Sequence, residues 1–180
     1  MSAPSDLLIG RFVNAAHNYI KWVDDLESPQ PIDMLRLHGL LGELQAAVVP
    51  IGYCEPPDDS PEVMPLSEHS EKYVALITKF KALPIEHYWN IFDPLQDSDP
   101  VEGSIHDDLA DIYLDICKGL RHFSAGRIPD AVWAWRWGYF NHWGRHLVDA
   151  QSALREYLQH EAAEFFFQSD SSLREKNLSA

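Results

Sequence analysis

The sequence predicts an all-α fold, a single-domain antiparallel helical bundle of about five main helices. Three observations carry that expectation. Apolar residues recur at spacings of three and four in several separate segments, no stretch alternates apolar and polar residues in the manner of a strand, and proline or glycine punctuates the intervals between segments. With 180 residues, 46% of them apolar, the chain can bury roughly two-thirds of its unfolded surface in one core without a disulfide or metal to hold it.

The elements follow in order. Over residues 5–26, Leu8, Phe12, Ala15, Tyr19, Trp22 and Leu26 fall on one helical face, and Ser28-Pro29-Gln30-Pro31 ends it because proline cannot continue the backbone ladder. A second helix sets Met34, Leu37, Leu41, Leu44, Val48 and Ile51 in register. Its Gly39 and Gly42 each weaken helix propensity by about 1 kcal/mol and are expected to admit a closely packed neighbour. Residues 52–66, with four prolines among acidic residues, read as an exposed loop too short to separate two domains. Ser67 is the expected cap of a third helix whose stripe is Tyr73, Leu76, Ile77, Phe80 and Leu83, ended by Pro84. Residues 85–102 are aromatic at first, then acidic and broken by proline, which predicts a short helical turn over 87–92 followed by a loop.

Between Gly103 and Ala150 lie four of the six tryptophans and the densest mixture of Asp, His and Arg. Ser104 and Asp107 have the spacing of a capping box, so a helix begins at Ile105. Arg121 and His122 suit its last turn, Gly126 offers a left-handed cap, and Pro129 fits the first turn of an antiparallel successor. That successor is expected to run unbroken past Ala150 through Ala153, Leu154, Tyr157 and Leu158, with a last segment over 162–168 and a polar tail from 169.

Three groups of residues resemble a bacterial family catalogued as domain of unknown function 5063. They are Leu109-Ala110-Asp111-Ile112-Tyr113-Leu114-Asp115; Trp143-Gly144 with Leu147-Val148, Ala150 and Leu154; and Tyr88, Phe92, Asp93 and Pro94. The likeness starts near Phe12 and His17 and fades after about Leu158. It implies an all-helical single domain, and it implies no activity and no role for any residue.

The candidate chemistry lies in the central pair. Asp108, Asp111 and Asp115, at i, i+3 and i+7, share an arc of roughly 60°. His142, His146 and Asp149 share another on the following helix. The acidic stripe reads as a solvated face, as one side of an interhelical polar network, or as part of a metal site. Metal candidates are Asp108, Asp111, Asp115, His142, His146 and Asp149, although Trp143 stands where a zincin would carry glutamate, so no metal and no cofactor is assigned. Arg136 falls inside the apolar stripe on the wheel, where an unpaired guanidinium would be costly. Folding the pair about Gly126 sets Asp115 level with Trp137, Asp111 beside His142 and Asp108 near His146. The expected network therefore pairs Arg136 with Asp115 or Asp111 and gives the histidines the remaining acceptors.

A net charge of −14, from 28 acidic and 14 basic residues, disfavours nucleic acid and anionic membranes as partners. Cys54 and Cys117 form no disulfide or metal-ligand pattern. The N-terminus lacks the layout of a signal peptide, and no window is apolar enough to span a membrane, so a cytoplasmic protein is expected. No phosphate loop, G-x-S-x-G or H-E-x-x-H occurs. Two function classes follow. The first is a non-catalytic interaction module, binding a partner or itself through the Trp-rich helix, where Trp133, Trp135 and Trp137 point different ways and Trp137 is the one set to meet a partner. The alternative is a metal-dependent all-α hydrolase that acts on a nucleotide or phosphate substrate through carboxylate-held Mg²⁺ or Mn²⁺.

Overall fold

The computed structural model describes residues 5–52, 54–55, 59–91, 95–97 and 99–160, so the segment expected at 162–168 and the polar tail lie outside the described residues. Within them run α1 (Asp6–Asp24), α2 (Pro31–Val48), α3 (Leu66–Phe80), β1 (His87–Ile91), β2 (Pro100–Ser104), α4 (Ile105–Ser124), α5 (Ile128–Asn141) and α6 (Trp143–His160). The all-α class holds, with one small antiparallel hairpin added.

Helix α4 is the element the others pack around: α5 and α6 lie along it most extensively, α3 and α1 touch it, and α2 closes the far side against α1 and α6. The apolar stripes read from the sequence meet in one cluster that includes Phe12, Tyr19, Leu37, Leu41, Leu109, Ile112, Trp135, Trp143 and Leu147. Buried Tyr19 donates its hydroxyl to the Leu109 carbonyl at 2.8 Å, tying α1 to the middle of α4. At the α4–α5 turn Gly126 has φ +74°, the left-handed conformation that glycine adopts without a Cβ penalty. The amides of Gly126 and Arg127 there bond the Phe123 and His122 carbonyls.

The structure corrects five expectations. Residues 87–91 form a strand, not a helical turn, paired to β2 in the register His87↔Ser104, Tyr88↔Gly103 and Ile91↔Pro100. Aromatic and β-branched residues suit a pleat, and a partner thirteen residues on supplies the ladder that a local reading cannot see. The long final helix breaks at His142 (φ −148°, ψ −89°), so α5 and α6 are separate. There the buried Trp143 turns back and donates Nε1–H to the Trp135 carbonyl at 3.0 Å. Helix α3 begins at Leu66 and Ser67 caps nothing, because Pro65 already has extended ψ and its carbonyl accepts from His69 N at 2.9 Å. The Pro-rich loop is partly anchored: Met64 is buried, and Arg121 Nη1 donates to the Val63 carbonyl at 2.6 Å. Among the described residues Gly39 has no close neighbour and Gly42 only the end of the Gln151 side chain at 3.7 Å, so these glycines admit no tight crossing of a described helix.

Two histidines enter the interior without a full set of partners. His106 is 3% exposed and His122 is 7% exposed. Nε2 of the first and Nδ1 of the second have no hydrogen-bond partner among the described residues. Burial holds both below the ordinary histidine value of 6.5. The unfolded chain therefore binds protons here that the native state refuses, so stability is complete above about pH 6.5 and is lost as pH falls towards the lower folded values. His106→Gln should lose less stability between pH 7.5 and 5.5 than the wild type in urea unfolding at the two pH values. An equal loss in both proteins would show that native His106 takes up its proton as readily as the unfolded chain does.

Candidate functional site

The side chains of interest are set by the start of α4 and the start of α6. Ser104 accepts from the Asp107 amide at 3.5 Å, which fixes the phase of α4. From that start Asp108, Asp111 and Asp115 project towards the His142 break and the first turn of α6. The acidic stripe is covered, not solvated: the side chains of Asp108, Asp111 and Asp115 are 6%, 19% and 15% exposed.

Each carboxylate has a defined partner. Asp108 takes His146 Nδ1 on Oδ1 at 2.8 Å and the Tyr88 hydroxyl on Oδ2 at 2.6 Å. Asp111 Oδ2 stands 3.4 Å from His146 Nε2. Asp115 takes His142 Nδ1 on Oδ2 at 2.8 Å and Lys118 Nζ on Oδ1 at 3.0 Å. The two imidazoles lie 5.0 Å apart, edge to face. Burial pushes Asp108 above the usual carboxylate range, against the pull of His146 and Tyr88, and it pushes Asp111 up as well. Burial is the largest single effect on His146 and opposes its charge, but the Asp108 hydrogen bond together with the charges of Asp108, Asp111 and Asp107 outweighs it and raises the imidazole. The hydrogen bond between them thus favours charge on both Asp108 and His146, against the burial that opposes it on each.

Tyr88 reaches Asp108 because its strand partner is Gly103, where any Cβ would overlap the phenol ring. Its own pKa is raised by burial and by the Asp108 bond. Hairpin, α3, α4 and α6 thus enclose an open cleft of about 600 Å³, lined by Tyr73, Tyr88, Glu86, Glu102, Asp107, Asp108, His146 and Asp149 among others. Tyr73 donates to Asp107 on its wall.

Of the sequence-predicted residues, Asp108, Asp111, Asp115, His142 and His146 come together. Asp149 stands apart on the cleft wall, paired with Arg145 at 3.3 Å. Arg136 is not in the network. The break at His142 rotates α5 out of the wheel phase assumed for one continuous helix, and Arg136 instead donates to the Val49 carbonyl at 2.5 Å and lies 5.1 Å over the Phe140 ring. Val49 caps the C-terminal end of α2, where carbonyls lack intrahelical partners and a cation is favoured. Among the tryptophans Trp135 is fully buried, whereas Trp133 stacks on Trp137 at 5.7 Å and Trp137 is 48% exposed beside exposed Phe140. Cys54 and Cys117 are free. Sequence reasoning missed Glu86, Glu102 and Arg145, set Tyr73 only in an apolar stripe, and gave Tyr88 no role in the site. The available signal was an aromatic run and a glycine flanking the proline-broken stretch, which together fit a hairpin.

A family model described as a domain of unknown function (DUF5063) matches residues 5–160. The crystal structure of protein BF1032 from Bacteroides fragilis is similar, with TM-score 0.66 and 22% identity, covering 84% of this chain and 92% of that one. At that identity the likeness concerns the fold alone. No curated protein matches the chain.

Proposed function

Because this chain belongs to the DUF5063 family, whose description assigns no activity, we propose from its own residues that it is a non-catalytic binding module working through the acidic cleft. Its ligand is a lysine- or arginine-bearing segment of a protein partner. The observation that supports this reading is the charge of the lining. Glu86, Glu102, Asp107, Asp108 and Asp149 face the cleft with Arg145 as the guanidinium among them, in a chain of net charge −14. Carboxylates around a concave site attract and orient a cationic side chain, with the aromatic faces of Tyr73 and Tyr88 available to its alkyl stem and charge. The hydrolytic alternative needs a metal ion held by these residues.

The test is fluorescence polarisation with a labelled lysine-rich peptide and a glutamate-rich peptide of equal length. The lysine peptide should bind and weaken as salt is raised. The double variant Glu86→Lys/Glu102→Lys should lose it by about tenfold or more, since both side chains are more than half exposed and their charge can be reversed without disturbing the core. Equal binding of the two peptides, or an unchanged affinity in the variant, would remove the reading.

A further inference from the structure

We infer that Asp111, His142 and His146 form a binding site for a divalent transition-metal ion of the zinc type. One ligand-capable atom from each of these three residues lies within 4.8 Å of those of the other two. Donors on a tetrahedral ion with bonds of about 2.0–2.2 Å stand roughly 3.3–3.5 Å apart. Asp111 Oδ2 and His146 Nε2 are already 3.4 Å apart. His142, with a side chain 47% exposed, has room to turn the remaining distance.

The second observation is the arrangement behind the ligands. Metal-binding imidazoles as a rule give their other ring N–H to a carboxylate, which fixes the tautomer and leaves a lone pair on the ligating nitrogen. Both rings here meet that condition on the same atom. His142 Nδ1 is 2.8 Å from Asp115, and His146 Nδ1 is 2.8 Å from Asp108. Nε2 of each ring is thereby left as the ligating nitrogen. The supporting carboxylates are themselves held, Asp115 by Lys118 and Asp108 by Tyr88. A purely structural pairing of acids with histidines does not require two rings presented through the same nitrogen beside a third carboxylate. Two imidazoles and one carboxylate favour Zn²⁺, Co²⁺ and their neighbours over Mg²⁺ and Ca²⁺, which prefer all-oxygen sites. Three protein ligands leave a coordination position open to water or a ligand. The assignment does not rest on what fills the acidic cleft, since Glu86 and Glu102 are outside the donor set.

The experiment uses the full chain after EDTA treatment and desalting, titrated with Co²⁺ and followed by visible absorption. One Co²⁺ per chain should bind with a d–d band, Zn²⁺ should displace it, and Mg²⁺ at the same concentration should not. His142→Gln, on a half-exposed ring, and Asp111→Asn should each weaken binding by about 100-fold or more. Asp115→Asn, which touches no metal, should weaken it by about 10–100-fold with the helical circular dichroism unchanged. Should a substitution unfold the chain, paramagnetic shifts in the unmodified protein decide: they must centre on the ring protons of His142 and His146. No Co²⁺ uptake, uptake untouched by His142→Gln, or shifts centred on other histidines would each overturn the site.

Discussion

Trp135→Ala is expected to lower the unfolding free energy by about 3–5 kcal/mol and the melting temperature by roughly 10 °C or more. The indole is fully buried where α1, α4 and α5 meet. Its ring lies 4.8 Å from that of Phe12 and 5.9 Å from that of Phe123, and its Nε1–H donates to the Ile116 carbonyl at 3.2 Å. It also lies against Gly119 of α4, where a Cβ would overlap the indole, so helix and ring are fitted to each other. Truncation removes apolar burial, leaves a cavity that helices held by neighbours on both sides cannot close, and removes the indole's hydrogen bond to the Ile116 carbonyl. Trp135→Phe keeps most of the volume and should cost about 1–3 kcal/mol. Urea unfolding at pH 7.5 checks both. A loss below about 1 kcal/mol for the alanine variant would mean that the core relaxes far more than its packing implies.

Asp108→Ala should be comparably damaging, about 3–5 kcal/mol, because it breaks a buried charged pair from one side. Asp108 is 4% exposed and serves two donors at once, His146 from α6 and Tyr88 from the hairpin. Its removal takes the acceptor from His146 Nδ1 and from the half-buried Tyr88 phenol, and the hairpin loses its polar anchor to α4. Tyr88→Phe removes one hydrogen bond and should cost only about 1 kcal/mol. The Asp108→Ala/Tyr88→Phe double variant should cost clearly less than the sum of the two singles, since the phenol that the first change strands is gone. Unfolding in the presence of EDTA measures this free of any metal. Additive losses would mean that hairpin and helix are not coupled through this carboxylate.

The carboxylates and imidazoles of the candidate site were legible from their positions on helices. Counting residues outward from Gly126 placed Asp108 near His146, and the structure has them 2.8 Å apart. The same count put His142 beside Asp111, whereas its Nδ1 bonds Asp115, one turn further along. The wheel placement of Arg136 inside the apolar stripe failed because it assumed one unbroken helix through His142. The acceptor Arg136 found instead is a backbone carbonyl at the end of α2, and a carbonyl has no signature in a side-chain pattern.

The sequence by itself determined the helical stripes from Phe12 to Leu154 and the caps at Ser104 and Gly126. These depend on contacts within a turn or two, where residue spacing and local backbone preference suffice. Only the tertiary structure decided that residues 87–91 pair with 100–104, that Trp143 folds back to break the helix at His142, and that Tyr88 crosses Gly103 to reach Asp108. Five residues are too few for a periodicity to separate strand from turn, and each of these outcomes gains its stability from a partner on another element. That partner comes within reach only after α4 and its neighbours have packed.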